Sequence, residues 1–153
     1  PSVLDGVEYV PLDELYQRSD IITLHCPLTS DNVYMINSKT IEQMKKGVII
    51  INTSRGLLIN SEDLLNGIKQ RKIGAACLDV YEEETDIFFN DNSGHILNDD
   101  TLSRLISMPN VIVTSHQAYL TKEALENIAK TTIENVLNYF DGVKSINEVT
   151  INN

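Results

Sequence analysis

The stretch "GVIIINTSRG", residues 47–56, decides how the rest of the chain is read. Val48 to Ile51 is an unbroken apolar, β-branched run. Such a run predicts a strand buried on both faces, and strands of that kind belong to parallel sheets covered by helices. A bland turn should follow. Instead come Asn52, Thr53 and Ser54, whose side chains hydrogen-bond, then the fixed cation Arg55, then Gly56, which lets the backbone turn sharply or approach a ligand. Taken alone, a strand-end arginine reads as a surface or structural residue, and what Arg55 holds has to come from the rest of the chain.

The same pattern recurs outward from this point. "DIITLHCP" (20–27), "IGAACLDV" (73–80) and "NVIVTSH" (110–116) are further strand candidates. Between them, "SKTIEQMKKG" (38–47) and "SEDLLNGIKQRK" (61–72) have helical character, and each opens with a Ser suited to cap a helix N-terminus. The second places acids in its first turn and bases in its last, as the helix dipole favours. Strands alternating with helices predict an α/β fold, part of a doubly wound parallel sheet with right-handed crossovers. In "TKEALENIAKTTIENVLNYFDG" (121–142), Ala124, Leu125, Ile128, Ala129, Ile133, Val136, Leu137 and Phe140 recur at helical spacing. This predicts one long amphipathic helix, ending near Asp141-Gly142, that requires a partner surface. Residues 84–97, "ETDIFFNDNSGHIL", keep no period and read as a loop.

Composition excludes several classes. A net charge of -10 over 153 residues disfavours nucleic-acid binding, which relies on Lys and Arg. No apolar stretch approaches the roughly 18 residues of a membrane span. Cys26 and Cys77 lie far apart at the ends of apolar runs, which predicts buried, reduced thiols and a cytoplasmic setting. No His, Cys or carboxylate grouping has zinc-ligand spacing, so no metal site is expected. The chain opens at Pro1 without targeting character, and the expectation is a sequence that starts in mid-fold.

Each predicted strand ends in polar or reactive residues: His25-Cys26-Pro27, Thr53-Ser54-Arg55, Asp79 and His116. Ligands of open parallel sheets sit beyond the carboxyl ends of the strands. Taken singly, these residues have duller readings: Asp79 as a strand-end cap, Glu82 to Glu84 as a solvated run, His25 as packing and His95 as a solvated loop residue. Nucleotide-binding sheets normally begin with G-x-G-x-x-G and an acid about 20 residues on. Neither occurs here, so either the sheet binds no nucleotide or its first half is missing.

Four segments in order, "SDIITLHCPLTSDNVYMIN", "NTSRG", "GAACLDVYEEE" and "VIVTSHQAYLT", resemble the C-terminal half of the D-isomer-specific 2-hydroxyacid dehydrogenases. The similarity runs from about Val7 to the tail. It implies hydride transfer between NADH and a short 2-oxo acid, with NAD as cofactor. "FFNDNSG", the "LNDDTLSRL" helix and Tyr119 favour pyruvate and D-lactate as the pair. By the same resemblance Arg55 grips the substrate carboxylate, His116 is the acid/base and Glu84 its acidic partner, with Tyr119 also at the substrate. Cofactor contacts carry over to Cys26, Pro27, Asn32, Thr53, Ser54 and Asp79. Residues 1–118 would form the C-terminal part of an NAD-binding domain and 119–153 a helix and tail linking back to a substrate domain, in a homodimer. Ser115 departs from the proline that many members carry before this histidine. The alternative is a nucleotide-sensing, corepressor-like member that keeps Arg, Glu and His without turnover. Lacking the glycine-rich turn, the chain alone is expected to be inactive and to expose apolar surface.

Overall fold

The computed structural model of the chain describes residues 6–82 and 99–149. It divides into two compact units, Pro1–His116 and Gln117–Asn153.

The first unit is built on strands β1 (Ile21–Leu24), β2 (Val48–Asn52), β3 (Ile73–Leu78) and β4 (Val111–Val113). They form a four-stranded, all-parallel sheet in the order β1-β2-β3-β4. Sequential order in one direction is one wing of a doubly wound sheet, and right-handed crossovers then put the connecting helices on a single face. Helices α1 (Leu12–Arg18), α2 (Ser38–Gln43), α3 (Ser61–Lys69) and α4 (Asp100–Ser107) pack as successive neighbours in that layer.

Burial along the strands follows from this one-sided cover. The rows Ile22-Ile50-Ala76-Val111 and Leu24-Asn52-Leu78-Val113 cross the sheet on one face. They join Leu58, Leu64, Ile73, Leu102 and Leu105 in the core. The opposite rows, Ile21-Ile49-Ala75 and Thr23-Ile51-Cys77-Ile112, are half-buried or exposed, with Ile21 56% and Ile112 62% exposed. The expectation of a β2 strand buried on both faces is therefore corrected. Residues of one parity are buried because only one helix layer is present among the described residues. Cys77 lies on the open face and Cys26 just beyond β1; both are free and half-buried rather than buried.

The helix caps also shift by one residue. Asn37, not Ser38, caps α2, accepting from the amides of Lys39 and Thr40 in a capping box with Thr40. Asn60, not Ser61, caps α3 through the amide of Asp63. An Asn side chain in extended backbone reaches the free amides of the first turn, whereas the serine one position later is already helical. Helix α1, which the sequence pattern did not single out, is anchored by Tyr16, whose hydroxyl donates to the Met35 carbonyl at 3.0 Å. The "LNDDTLSRL" helix starts after its cap Asp99. The predicted loop over 84–97 lies outside the described residues.

The second unit holds helix α5 (Lys122–Phe140), capped by Thr121 and ending at Asp141, with Gly142 at φ 67°. Its apolar stripe, including Leu125, Ile128, Ile133, Val136 and Leu137, is exposed, as a helix awaiting a partner surface requires. No described helix is long and apolar enough to cross a membrane.

Candidate active site

The carboxyl ends of the four parallel strands meet at one edge, and the loops leaving them are stitched together. The loop after β1 is tied to the turn after β2 by main-chain bonds from Tyr34 to Leu57 and from Ile36 to Leu58, each 3.0 Å or shorter. Ser54 adds a side-chain bond, its Oγ donating to the Cys26 carbonyl at 2.6 Å. Within the first loop Asn32 Nδ2 donates to the Pro27 carbonyl at 2.8 Å. Cys26, Pro27, Asn32 and Ser54 are thus brought into one connected wall, with Thr53 exposed beside it.

Arg55 leaves this wall at the tip of the β2 turn. It is exposed, and its Nη1 donates to the Ser54 carbonyl at 2.7 Å. Its planar guanidinium keeps further donors for a carboxylate, which it can hold bidentately. Gly56 permits the turn for a steric reason. A Cβ at that position would lie 2.0 Å from the Tyr81 carbonyl oxygen and 2.5 Å from the Glu82 amide nitrogen. The Arg55 turn and the backbone after β3 are therefore in direct contact.

Asp79, at the end of β3, is 4% exposed. Its Oδ1 accepts from Thr114 Oγ1 at 2.5 Å, its amide donates to the Asn52 carbonyl at 2.9 Å, and its carbonyl accepts the His116 amide at 2.7 Å. The carboxylate is turned inward to the strands, which suits a residue that shapes the edge. His116 is half-buried and adopts φ 55°, a left-handed conformation costly for a non-glycine residue and common at functional sites. His25, expected to pack at the strand end, is exposed and shares a 2.8 Å hydrogen bond between Nε2 and Thr23 Oγ1.

Tyr81 is buried, and its hydroxyl donates to Asp99 Oδ2 at 2.7 Å. Burial first, and then that carboxylate, push its ionisation far above the ordinary tyrosine range. Glu84 and His95 lie outside the described residues. Tyr119 is exposed and belongs to the second unit. Among the described residues no group of acids, His and Cys is placed to hold a metal ion.

Asn52, which the sequence marks only as a hydrogen-bonding strand end with no site role, is buried and bonded into the Arg55 turn. Its signal was parity: Val48, Ile50 and Asn52 share the covered face of β2.

A parallel sheet with hydrogen-bonding groups, a cation and a strained histidine at its carboxyl edge defines a nucleotide-binding type of α/β domain. Residues 2–118 match the family described as D-isomer specific 2-hydroxyacid dehydrogenase, NAD binding domain, and the chain belongs to that family. The cofactor of such a domain is NAD. The edge fits it: the β1 and β2 loops offer main-chain and hydroxyl groups, including the exposed Thr53.

Among relatives, the D-lactate dehydrogenase of Escherichia coli K12 is 49% identical over 94% of this chain and 44% of its own length. The solved pyruvate reductase of Chlamydomonas reinhardtii is 45% identical, with a TM-score of 0.85 over 93% of this chain and 44% of its own. The D-lactate dehydrogenase of Lactobacillus jensenii, solved with NAD+, is 31% identical, with a TM-score of 0.84 over 94% and 43%. The chain thus spans less than half the length of the relatives it matches.

Proposed function

We propose that the protein containing this chain is an oxidoreductase that transfers a hydride between NADH and a short 2-oxo acid, with pyruvate and D-lactate as the favoured pair. The observation that carries this reading is a continuous hydrogen-bonded path between the two candidate catalytic residues. Asn52 Nδ2 donates to the Arg55 carbonyl, the Asn52 carbonyl accepts the Asp79 amide, and the Asp79 carbonyl accepts the His116 amide. A cation and an acid/base are thereby held in fixed relation across three strands.

In this reading Arg55 binds the substrate carboxylate through two parallel, charge-assisted bonds. His116 gives a proton to the carbonyl oxygen during reduction and takes one from the hydroxyl in reverse, a task suited to an imidazole with a reference pKa near 6.5. Glu84 orients that ring. Bound NADH supplies the hydride. Cys26, Pro27, Asn32, Thr53 and Ser54 form the cofactor wall, Asp79 shapes it, and Tyr119 reaches the substrate.

We assign residues 1–118 to the NAD-binding domain and 119–153 to the link with a substrate domain. The exposed α5 stripe and the open sheet face support an assembly in which other residues of the full-length protein cover them, within a cytoplasmic homodimer. Alone, the 153-residue chain would not turn over substrate. The test is Arg55→Lys in the full-length protein. KM for pyruvate should rise about 10- to 100-fold, since a point charge replaces a bidentate fork. An unchanged KM would refute the role of Arg55.

A further inference from the structure

Asn52 is a polar residue in an apolar row. On the covered face of the sheet it stands between Leu24 and Leu78, with Val113 beyond, and it is 1% exposed. The alternation of Val48 and Ile50 calls for an aliphatic side chain here. A buried amide left without hydrogen-bond partners is strongly destabilising, so its partners matter. Its partners both belong to the Arg55 turn. Oδ1 accepts the Ser54 amide at 3.0 Å, and Nδ2 donates to the Arg55 carbonyl at 2.9 Å. The two bonds bracket the Ser54–Arg55 segment, one at the Ser54 amide and one at the Arg55 carbonyl.

We propose that Asn52 is a positioning residue that sets the direction of the Arg55 guanidinium and registers it to His116 through Asp79. This rests on the reading of Arg55 as the carboxylate-binding residue. The position needs one acceptor and one donor on a short, rigid side chain. Asparagine meets that need; aspartate keeps only the acceptor, and leucine has neither. The rest of the row is aliphatic and would pack an aliphatic residue well. The amide's function is therefore to hold the turn in its productive geometry before substrate arrives.

The experiment is a double-mutant cycle in the full-length protein: Asn52→Asp, Arg55→Gln and the pair, with kcat and KM measured separately for pyruvate and for NADH. Asn52→Asp is expected to lower kcat/KM for pyruvate by about tenfold or more, mainly through KM, the scale of one lost hydrogen bond. In the Arg55→Gln background the same change is expected to cost less than about twofold, because residues acting through one another are not additive. Equal losses in both backgrounds, or a loss confined to the KM for NADH, would overturn the proposal. If Arg55→Gln alone leaves the KM for pyruvate unchanged, the reading beneath falls, and the proposal falls with it. Should Asn52→Asp fail to fold, Asn52→Ser, which keeps a small hydroxyl, serves the same cycle with the same criteria.

Discussion

Gly56→Ala isolates the contact that joins the two halves of the candidate site. The backbone at Gly56 is not left-handed, so an alanine there meets a purely steric obstacle. Its Cβ would sit 2.0 Å from the Tyr81 carbonyl oxygen and 2.1 Å from the carbonyl carbon, where ordinary contact begins at 3.4 Å. The turn and the Tyr81–Glu82 backbone must therefore part by about 1.4 Å, the difference between 2.0 and 3.4 Å. Neither side yields easily. One is held by Asn52, and the other continues β3 and is anchored by the Tyr81 hydroxyl.

Overpacking of this kind costs about 1–3 kcal/mol, and the backbone nature of both partners puts this case near about 3. A displacement of about 1 Å at a reacting group costs on the order of 100-fold in rate. Urea unfolding of the full-length variant, with kcat/KM for pyruvate, checks both figures. Gly67→Ala is the control. Its Cβ would meet the Ile73 side chain at 2.9 Å and 3.3 Å and the Ile41 Cγ2 at 3.3 Å, side-chain rather than backbone atoms. A helix-interior alanine also regains about 1 kcal/mol of propensity. Gly67→Ala should be near neutral. A Gly56→Ala protein within about 0.5 kcal/mol of the parent, or one no worse than Gly67→Ala, would refute the steric argument.

Two further outcomes follow from the first unit. Burial, reinforced by the charges of Asp13 and Cys26, pushes the Tyr16 hydroxyl from 10.0 up to about 12. The neutral form is the one the fold prefers, so stability is full below pH 10.0 and falls between 10.0 and about 12 as the unfolded chain ionises first. Tyr16→Phe should flatten that decline in urea midpoints against pH while losing about 1 kcal/mol at neutral pH; an unchanged slope would count against it. Ile112 stands 62% exposed on the open sheet face. Ile112→Lys should reduce self-association of the 153-residue chain in sedimentation velocity. In the full-length protein it should cost several kcal/mol, because a covered face would bury an unpaired charge. Full-length protein indifferent to the change would show that the face stays open.

The alternation of strands and helices was legible because β-branched runs and helical periodicity are local properties. All four strands lie within the predicted segments. The errors have physical origins. The run Val48–Ile51 reads as two-sidedly buried because all four residues are apolar and β-branched, whereas the described residues bury only one parity of the strand. Ser38 and Ser61 read as caps whereas Asn37 and Asn60 do the capping, because both residue types cap well and only backbone geometry separates neighbours. Seven-residue α1 is too short for periodicity to register. The strand-end chemistry of Arg55, Asp79 and His116 was visible, but its wiring through Asn52 was not. Side-chain to main-chain bonds across strands require the register of the sheet.

Turnover of NADH with pyruvate by the full-length protein, measured beside His116→Ala, tests most directly the assignment of His116 as the acid/base of a 2-oxo acid reductase. The parent should oxidise NADH, and the variant should lose about 10²- to 10⁴-fold in kcat, the usual worth of a positioned acid/base, while still binding NADH. A folded parent that binds NADH yet turns over no short 2-oxo acid, or a His116→Ala protein as fast as the parent, would contradict it.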